Sequence, residues 1–128
     1  MKITEVKTYG LHVETASDPA MPWESNWLLV KVETDSGLFG WGEASVEGRL
    51  GAVSAYIRTL AERSVIGQDP RHIEKLWRKM YHHGFWKGGF IHMAAISGID
   101  MALWDILGKL HNVPVHMLLG GKVRDRVR

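Results

Sequence analysis

The fold of this chain is decided by residues 91–110, which read IHMAAISGIDMALWDILGKL. Apolar residues cover most of the circumference that a helix would have here, so the stretch predicts a central α-helix. Gly98 and Ala102 lie one turn apart, and their small size would let another backbone approach closely. Asp100 and Asp105 stand out, because an ionised carboxylate in such a helix needs a partner. For both we expect structural pairing or a place at a domain seam rather than catalysis.

Three strands are predicted upstream of this helix. Residues 2–13 and 27–34 are rich in β-branched and aromatic residues, and apolar residues alternate along part of each. The turn that follows ends in Gly37, which supplies the positive φ that hairpin turns require. Residues 38–44 then return as the third strand. These patterns predict a three-stranded antiparallel meander with one face to be covered.

Further helices are predicted to provide that cover. A first amphipathic helix ends at Gly67, and Asp69 and Pro70 have the types expected at the N-cap and first position of a second. Pro114 opens a short fourth helix, which Gly120 closes. Strands followed by helices favour an α+β fold, here a meander followed by a bundle of three to four helices.

Composition narrows the class of protein. The 128 residues fit one domain, and 16 Lys and Arg against 14 Asp and Glu leave a net charge of +2. This balance argues against a nucleic-acid or anionic-membrane partner. The absence of cysteine excludes a disulfide framework and fits a reducing cytoplasm, which is the predicted location. No signal peptide and no membrane-spanning run is recognisable in the sequence.

Two motifs suggest chemistry that their context does not support. Gly40-Trp41-Gly42 follows a strand, as a dinucleotide-binding turn would, but Ser45 stands where that fingerprint needs a small apolar residue. The seven histidines contain no HExxH motif and no pair spaced to bind a metal from one helical face. We therefore expect hydrogen-bonded or solvated histidines and no metal site.

Two segments next to the strands are candidates for function. Residues 14–25 form a loop that is long compared with most connections, and long loops are often binding loops or lids. Glu43 and Glu47 lie where the third strand gives way to a helix, a common place for functional side chains. Capping or solvation of these two carboxylates remains an equal alternative.

The central helix carries a resemblance to a known family. Residues 95–109 with Pro114, and then Leu118-Leu119-Gly120-Gly121, closely resemble the signature of the mandelate racemase/muconate lactonizing family of the enolase superfamily. Residues 37–43 and 66–70 match the same family in the same order. Within it, residues 84–89 and Glu47-Gly48-Arg49 look most like sugar-acid dehydratases of the galactonate type.

The resemblance implies an N-terminal capping domain over residues 1–128. In the family, two loops of this domain close over a (β/α)₈ barrel in the same polypeptide, which would need about 250 further residues. That barrel holds the Mg²⁺ ligands and the acid/base groups that abstract a proton α to a carboxylate. The resemblance therefore assigns no catalytic residue and no metal ligand to this chain, and implies Mg²⁺ only for the full-length enzyme.

Residues 14–25 and 44–49 correspond to the two closing loops. The substrate-contacting residues that the resemblance suggests are Trp23, Glu24, Glu47 and Arg49. The expected partners are the chain's own barrel domain, a carboxylate-bearing small molecule and further copies in a homo-oligomer. We also expect Trp104 to be substantially buried in the core.

Three functions remain open at this point. The chain could cap a Mg²⁺-dependent acid-sugar dehydratase, which is a lyase, or a racemase, epimerase or cycloisomerase of the same family. It could also be a free-standing interaction module that keeps the cap fold. The residues that follow the chain in its gene would distinguish these alternatives.

Overall fold

The predicted meander is present in the structure. A computed structural model describes residues 1–13, 25–82, 84–86 and 88–126. Strands β1 (Ile3–Val13), β2 (Ser25–Thr34) and β3 (Phe39–Glu43) form one antiparallel sheet in the order β1-β2-β3. Gly37 has φ 81° in the turn between β2 and β3, as its type predicted.

In the part of the chain that the structure describes, four helices follow the sheet and complete an α+β fold. Helix α1 (Leu50–Leu60) continues into a π-helical turn, and α2 (Ile73–Tyr81) follows. Helix α3 (Phe90–His111) is the long helix expected from residues 91–110, and α4 (Val115–Leu118) follows Pro114. The order of elements agrees with the prediction throughout.

The start of α2 was predicted wrongly. Asp69 and Pro70 precede the helix, which begins only at Ile73. The Asp69 carboxylate instead accepts hydrogen bonds from the backbone N–H and the guanidinium of Arg71. The hydrogen bond from the Arg71 side chain also holds the pKa of Asp69 well below its usual value. Because this turn occupies the carboxylate, Asp69 cannot cap the helix.

Helix α3 forms the centre of the core. It packs on β3 and β2 on one side and on α1 and α2 on others. A Cβ atom on Gly42 would lie 1.9 Å from the Gly98 carbonyl oxygen, and one on Gly40 would lie 2.0 Å from that of Ala102. Sheet and helix backbones therefore touch directly, which only glycine in the strand permits.

The same helix is long and apolar enough to cross a membrane, with a mean hydropathy of 1.4 over 18 residues. Core helices of soluble proteins pass the same test, and 44% of that stretch is buried inside the domain.

The free edge of β3 is closed by two side chains of α3. The Asp105 carboxylate accepts a hydrogen bond of 2.9 Å from the Trp41 backbone N–H, and the Lys109 ammonium donates one of 2.8 Å to the Phe39 carbonyl. Asp105 and Lys109 also form a salt bridge of 2.7 Å. The structural pairing expected for Asp105 is thus present, and it covers backbone groups that would otherwise attract another strand.

Candidate functional site at the loop end of the domain

The ends of four elements meet at one end of the domain. In the sheet register Val13 pairs with Ser25, and Glu43 pairs with Leu29, so β1 ends, β2 begins and β3 ends on the same side. Helix α3 runs opposite to β3, because Gly42 meets Gly98 while Gly40 meets Ala102 farther along. Its N-terminus therefore points the same way. We call this region the loop end.

The first half of the β3–α1 loop is anchored by short hydrogen bonds. The Ser45 hydroxyl accepts a hydrogen bond of 2.9 Å from the Leu28 N–H, and the Glu43 carboxylate accepts one of 2.7 Å from the Ser45 N–H. Ala44 is buried beneath them. Glu43 therefore stabilises the start of the loop by a local hydrogen bond and does not cap α1, whose N-cap residue is Arg49.

The second half of this loop projects into solvent. Glu47, Gly48 and Arg49 are all exposed, and Gly48 has φ 64°. The Arg49 guanidinium donates a hydrogen bond to the Gly48 carbonyl, whereas Glu47 has no hydrogen-bond or ion-pair partner within the described part of the chain. The two exposed side chains thus offer a carboxylate and a guanidinium on one short turn.

The other two residues suggested for substrate contact cannot be placed. Trp23 and Glu24 lie outside the described residues, as does the rest of 14–24. What the structure does give is the position of the strand ends on either side, Val13 and Ser25, which border the same end of the sheet as the β3–α1 loop. The two candidate loops therefore start from neighbouring positions.

A third segment, which the sequence did not suggest as a site, also exposes large apolar side chains. Phe85 and Trp86 are 88% and 84% exposed and contact each other edge to face, with ring centroids 5.2 Å apart. They lie shortly before α3, which begins at Phe90. Two adjacent aromatic residues between Gly84 and Gly88 were the available signal, since such residues are costly to expose without a partner.

His92 ties this segment to the end of α2. The ring is only 3% exposed, and its Nδ1 accepts a hydrogen bond of 3.0 Å from the Gly88 N–H. Because Nδ1 is the acceptor, Nε2 carries the proton, and it donates to the Met80 carbonyl at 3.3 Å. Tyr56 and Tyr81 pack against the ring. His92 is thus one of the hydrogen-bonded histidines that we expected, with a neutral ring.

The described residues hold no group of three or more His, Cys, Asp and Glu that could bind a metal ion. The carboxylates of α3 do not change this result. Asp105 is engaged with β3, and Asp100 is half-buried, with its pKa raised by burial despite a hydrogen bond from Trp104. The loop end therefore has hydrogen-bonding and apolar surface but no metal centre among these residues.

Trp104 has most of its surface buried, as expected, and packs against the core. Part of its surface nevertheless remains exposed. Each of the five tryptophans in the described part of the chain keeps some exposed surface, up to 84% for Trp86. Helical periodicity identified Trp104 as apolar, but it could not tell a core position from a partner surface.

Known proteins resemble this chain over its whole length. The model of the mandelate racemase/muconate lactonizing enzyme N-terminal domain matches residues 13–120. The chain belongs to this family. The D-galactonate dehydratase of Ralstonia nicotianae is 49% identical over 128 residues, which are all of this chain and 30% of that protein. The prediction of an N-terminal capping domain of the enolase superfamily is confirmed.

Solved structures show the same relation. A candidate dehydratase from Mesorhizobium loti superposes with a TM-score of 0.86 at 44% identity, covering all of this chain and 33% of that one. An enolase from Agrobacterium radiobacter, a candidate galactarate dehydratase with Na and L-malate bound, gives 0.82 at 34% identity, with 100% and 30% covered. The chain thus spans about a third of the length of these relatives.

Proposed function

We propose that this chain is the substrate-capping domain of an acid-sugar dehydratase and that it is not itself catalytic. The observation that carries the proposal is the match of the entire chain to a D-galactonate dehydratase at 49% identity. A match of this extent favours D-galactonate as the substrate. Relatives about three times as long imply that the polypeptide continues into a C-terminal domain, and the (β/α)₈ barrel and the cytoplasmic location of the whole protein are part of the same proposal.

The reaction removes water from a polyhydroxy acid. A base takes the proton α to the carboxylate, the β-hydroxyl leaves with a proton as water, and the resulting enol tautomerises to a 2-keto-3-deoxy acid. The groups that move these protons would belong to the C-terminal domain, because the described residues present no positioned acid/base pair at the loop end. Mg²⁺ is proposed for the full-length enzyme, with all its ligands outside this chain.

The loop end would cover the substrate during this reaction. The Arg49 guanidinium suits a carboxylate or hydroxyl, and the Glu47 carboxylate suits a hydroxyl donor. Trp23 and Glu24 on the neighbouring loop are proposed to complete the cover. Closure would exclude water from the anionic intermediate and select among acid sugars, as mobile lids commonly do.

The experiment that tests this proposal uses two proteins, the 128-residue chain and the full-length polypeptide encoded by its gene. Both are supplied with D-galactonate and Mg²⁺, and formation of the 2-keto-3-deoxy acid is measured. We expect turnover by the full-length protein and none by the 128-residue chain. Exchange or inversion of the α-proton without loss of water would instead indicate a racemase or epimerase. Turnover by the short chain, or a gene that ends after residue 128, would contradict the proposal.

A further inference from the structure

The sheet has one face that the helices cover and one face that the described elements leave open. On the covered face, Leu28, Val30 and Val32 of β2 are buried in the core. Because successive side chains of a strand point to opposite faces, the residues between these three point away from the helices. The register places five large apolar side chains on that open face, each 39–48% exposed: Tyr9, Leu11, Trp27, Phe39 and Trp41. We call it the outer sheet face.

The apolar side chains of the outer sheet face form one connected patch. Leu11 lies opposite Trp27 in the register of β1 and β2, and Leu29 lies opposite Tyr9. The Tyr9 and Trp41 rings contact each other, with centroids 5.4 Å apart. Since an aromatic side chain offers about 150–250 Å² of surface, the exposed parts of the five side chains amount to roughly 400 Å². Patches of this size on a folded domain commonly mark a site of protein–protein interaction.

The lysines and glutamates beside this patch neutralise one another. Lys31 forms a salt bridge of 2.7 Å with Glu33, and Lys7 forms one of 2.8 Å with Glu5. The Lys31 ammonium also lies 4.3 Å from the centroid of the Phe39 ring. Because two cations are matched by two anions, this part of the face neither attracts a polyanion nor repels a copy of itself.

The order of residues along the face makes it complementary to itself. The pairs across β1 and β2 follow one another as Glu5 and Glu33, Lys7 and Lys31, Tyr9 and Leu29, and Leu11 and Trp27. A second copy, turned by 180° about an axis along the row of Tyr9 and Leu29, would meet each lysine pair with an apolar pair. Lys31 of each copy would then face Trp27 of the other, where a cation–π contact is favourable. No charged pair would meet its own kind.

Two such faces supply the surface that a stable interface needs. Sheets commonly pack face to face about 10 Å apart. The apolar patch of each copy contributes its exposed surface, and Leu29 and the aliphatic stems of Lys7 and Lys31 add to it. The pair would bury roughly 1,000 Å² or more in total, which reaches the range of specific protein–protein interfaces.

We propose that the outer sheet face is the surface through which two copies of this polypeptide associate, with a twofold axis close to the row of Tyr9 and Leu29. The proposal rests on the exposed side chains and the charge balance of this face. It goes beyond the proposed function and does not depend on the reaction or on the substrate.

Sedimentation of the full-length polypeptide gives the first test. The parent protein should sediment at twice the mass of one polypeptide, or at an even multiple of it. Trp27→Lys removes a central aromatic side chain and sets a cation against Lys31 of the other copy. It should raise the dissociation constant at least about thirtyfold, and so halve the mass at concentrations near that constant. Trp86→Lys, at an 84% exposed tryptophan of the loop end, is the matched control and should leave the mass unchanged.

Cross-linking gives a second test, which decides the matter if Trp27→Lys does not fold. The 128 residues contain no cysteine, so Tyr9→Cys adds a single thiol close to the proposed axis. A short bismaleimide should join two full-length polypeptides of this variant, because the two thiols face each other across the packed sheets. Phe85→Cys, at an 88% exposed aromatic residue of the loop end, should give no such product. The parent protein controls for any cysteine outside residues 1–128.

A monomeric parent protein would overturn the proposal, as would an unchanged mass of a folded Trp27→Lys variant or Tyr9→Cys adducts no more abundant than those of the parent. Cover of the outer sheet face by another part of the same polypeptide, or by a different protein, would give these results. They are separable from failure of the proposed function. A dimer that forms through this face but does not dehydrate D-galactonate would contradict only the proposed function, whereas an active monomer would contradict only the interface.

Discussion

The two sides of α3 are built in different ways. Toward the sheet, Gly98 and Ala102 are fully buried, and the helix backbone touches the backbones of Gly40 and Gly42. Toward α2 and α4, the side chains of Asp100 and Trp104 are only partly covered. One side has close backbone contact and no free surface at Gly98 and Ala102, and the other keeps part of its apolar surface exposed.

The two sides of this one helix therefore differ in what they do. The sheet side fixes the fold, because close backbone contact tolerates no added atoms. The opposite side also packs on the core, but its residues Trp104 and Leu107 are only partly buried. Substitutions on the two sides should therefore have unequal effects on the stability of the isolated chain.

The largest effect is expected from Gly42→Ala. The added Cβ would meet the backbone carbonyl of Gly98 at 1.9 Å, and a backbone atom cannot turn aside as a side chain can. We expect a loss of about 3 kcal/mol or more in the free energy of unfolding, measured by urea denaturation. Gly51→Ala is the matched control, because it lies in α1 with open space around it. That variant should be neutral or more stable by about 0.5 kcal/mol, and equal losses in both would contradict the close contact.

A smaller effect is expected when the hydrogen bonds of His92 are removed one at a time. His92→Asn keeps an acceptor near the Nδ1 position facing Gly88, whereas His92→Gln keeps a donor near the Nε2 position facing Met80. Each should lose about 1–2 kcal/mol, because one buried group stays unpaired. Only the Gln variant should release the Gly88 amide to fast hydrogen exchange. Equal exchange of that amide in both variants would refute the assigned tautomer.

The elements of the fold were predictable because their signals are local. Apolar periodicity identified α3, and the turn at Gly37 separated β2 from β3. The start of α2 was missed because Arg71 competes for the Asp69 carboxylate, a side-chain contact that residue types alone do not reveal. The hydrogen bonds of His92 join Met80 and Gly88 to the start of α3, so they depend on tertiary packing. Tertiary packing also decides whether Trp104 faces the core or a groove.

Trp104→Ala tests the side of α3 that faces α2 and α4. Complete burial would predict a loss of about 3–5 kcal/mol. Because Trp104 is buried over most but not all of its surface, we expect about 2–3 kcal/mol in the 128-residue chain. Urea denaturation of the variant measures this directly. A loss above 3 kcal/mol would place Trp104 in the core and remove the contrast between the two sides.

The smallest effect concerns pH. Burial raises the pKa of Asp100, so the folded chain holds that proton more tightly than the unfolded chain does. Between the unfolded and the folded pKa the native state carries the extra proton, and stability therefore falls as pH rises through this window, which begins near pH 4. Asp100→Asn should flatten this part of the profile and gain less than about 0.5 kcal/mol at neutral pH. An Asp100→Asn variant that is less stable than the parent at pH 7 would contradict this prediction.

The most direct test of the capping role is kinetic, in the full-length protein. Glu47→Ala, at the loop end, is compared with Glu62→Ala, at another exposed glutamate, in the π-helical turn at the end of α1. With D-galactonate as substrate, Glu47→Ala should lower kcat/KM at least about tenfold through a lost hydrogen bond to a substrate hydroxyl, whereas Glu62→Ala should leave it unchanged. Identical kcat/KM values for both variants and the parent, across a panel of acid sugars, would show that the loop end does not reach the substrate.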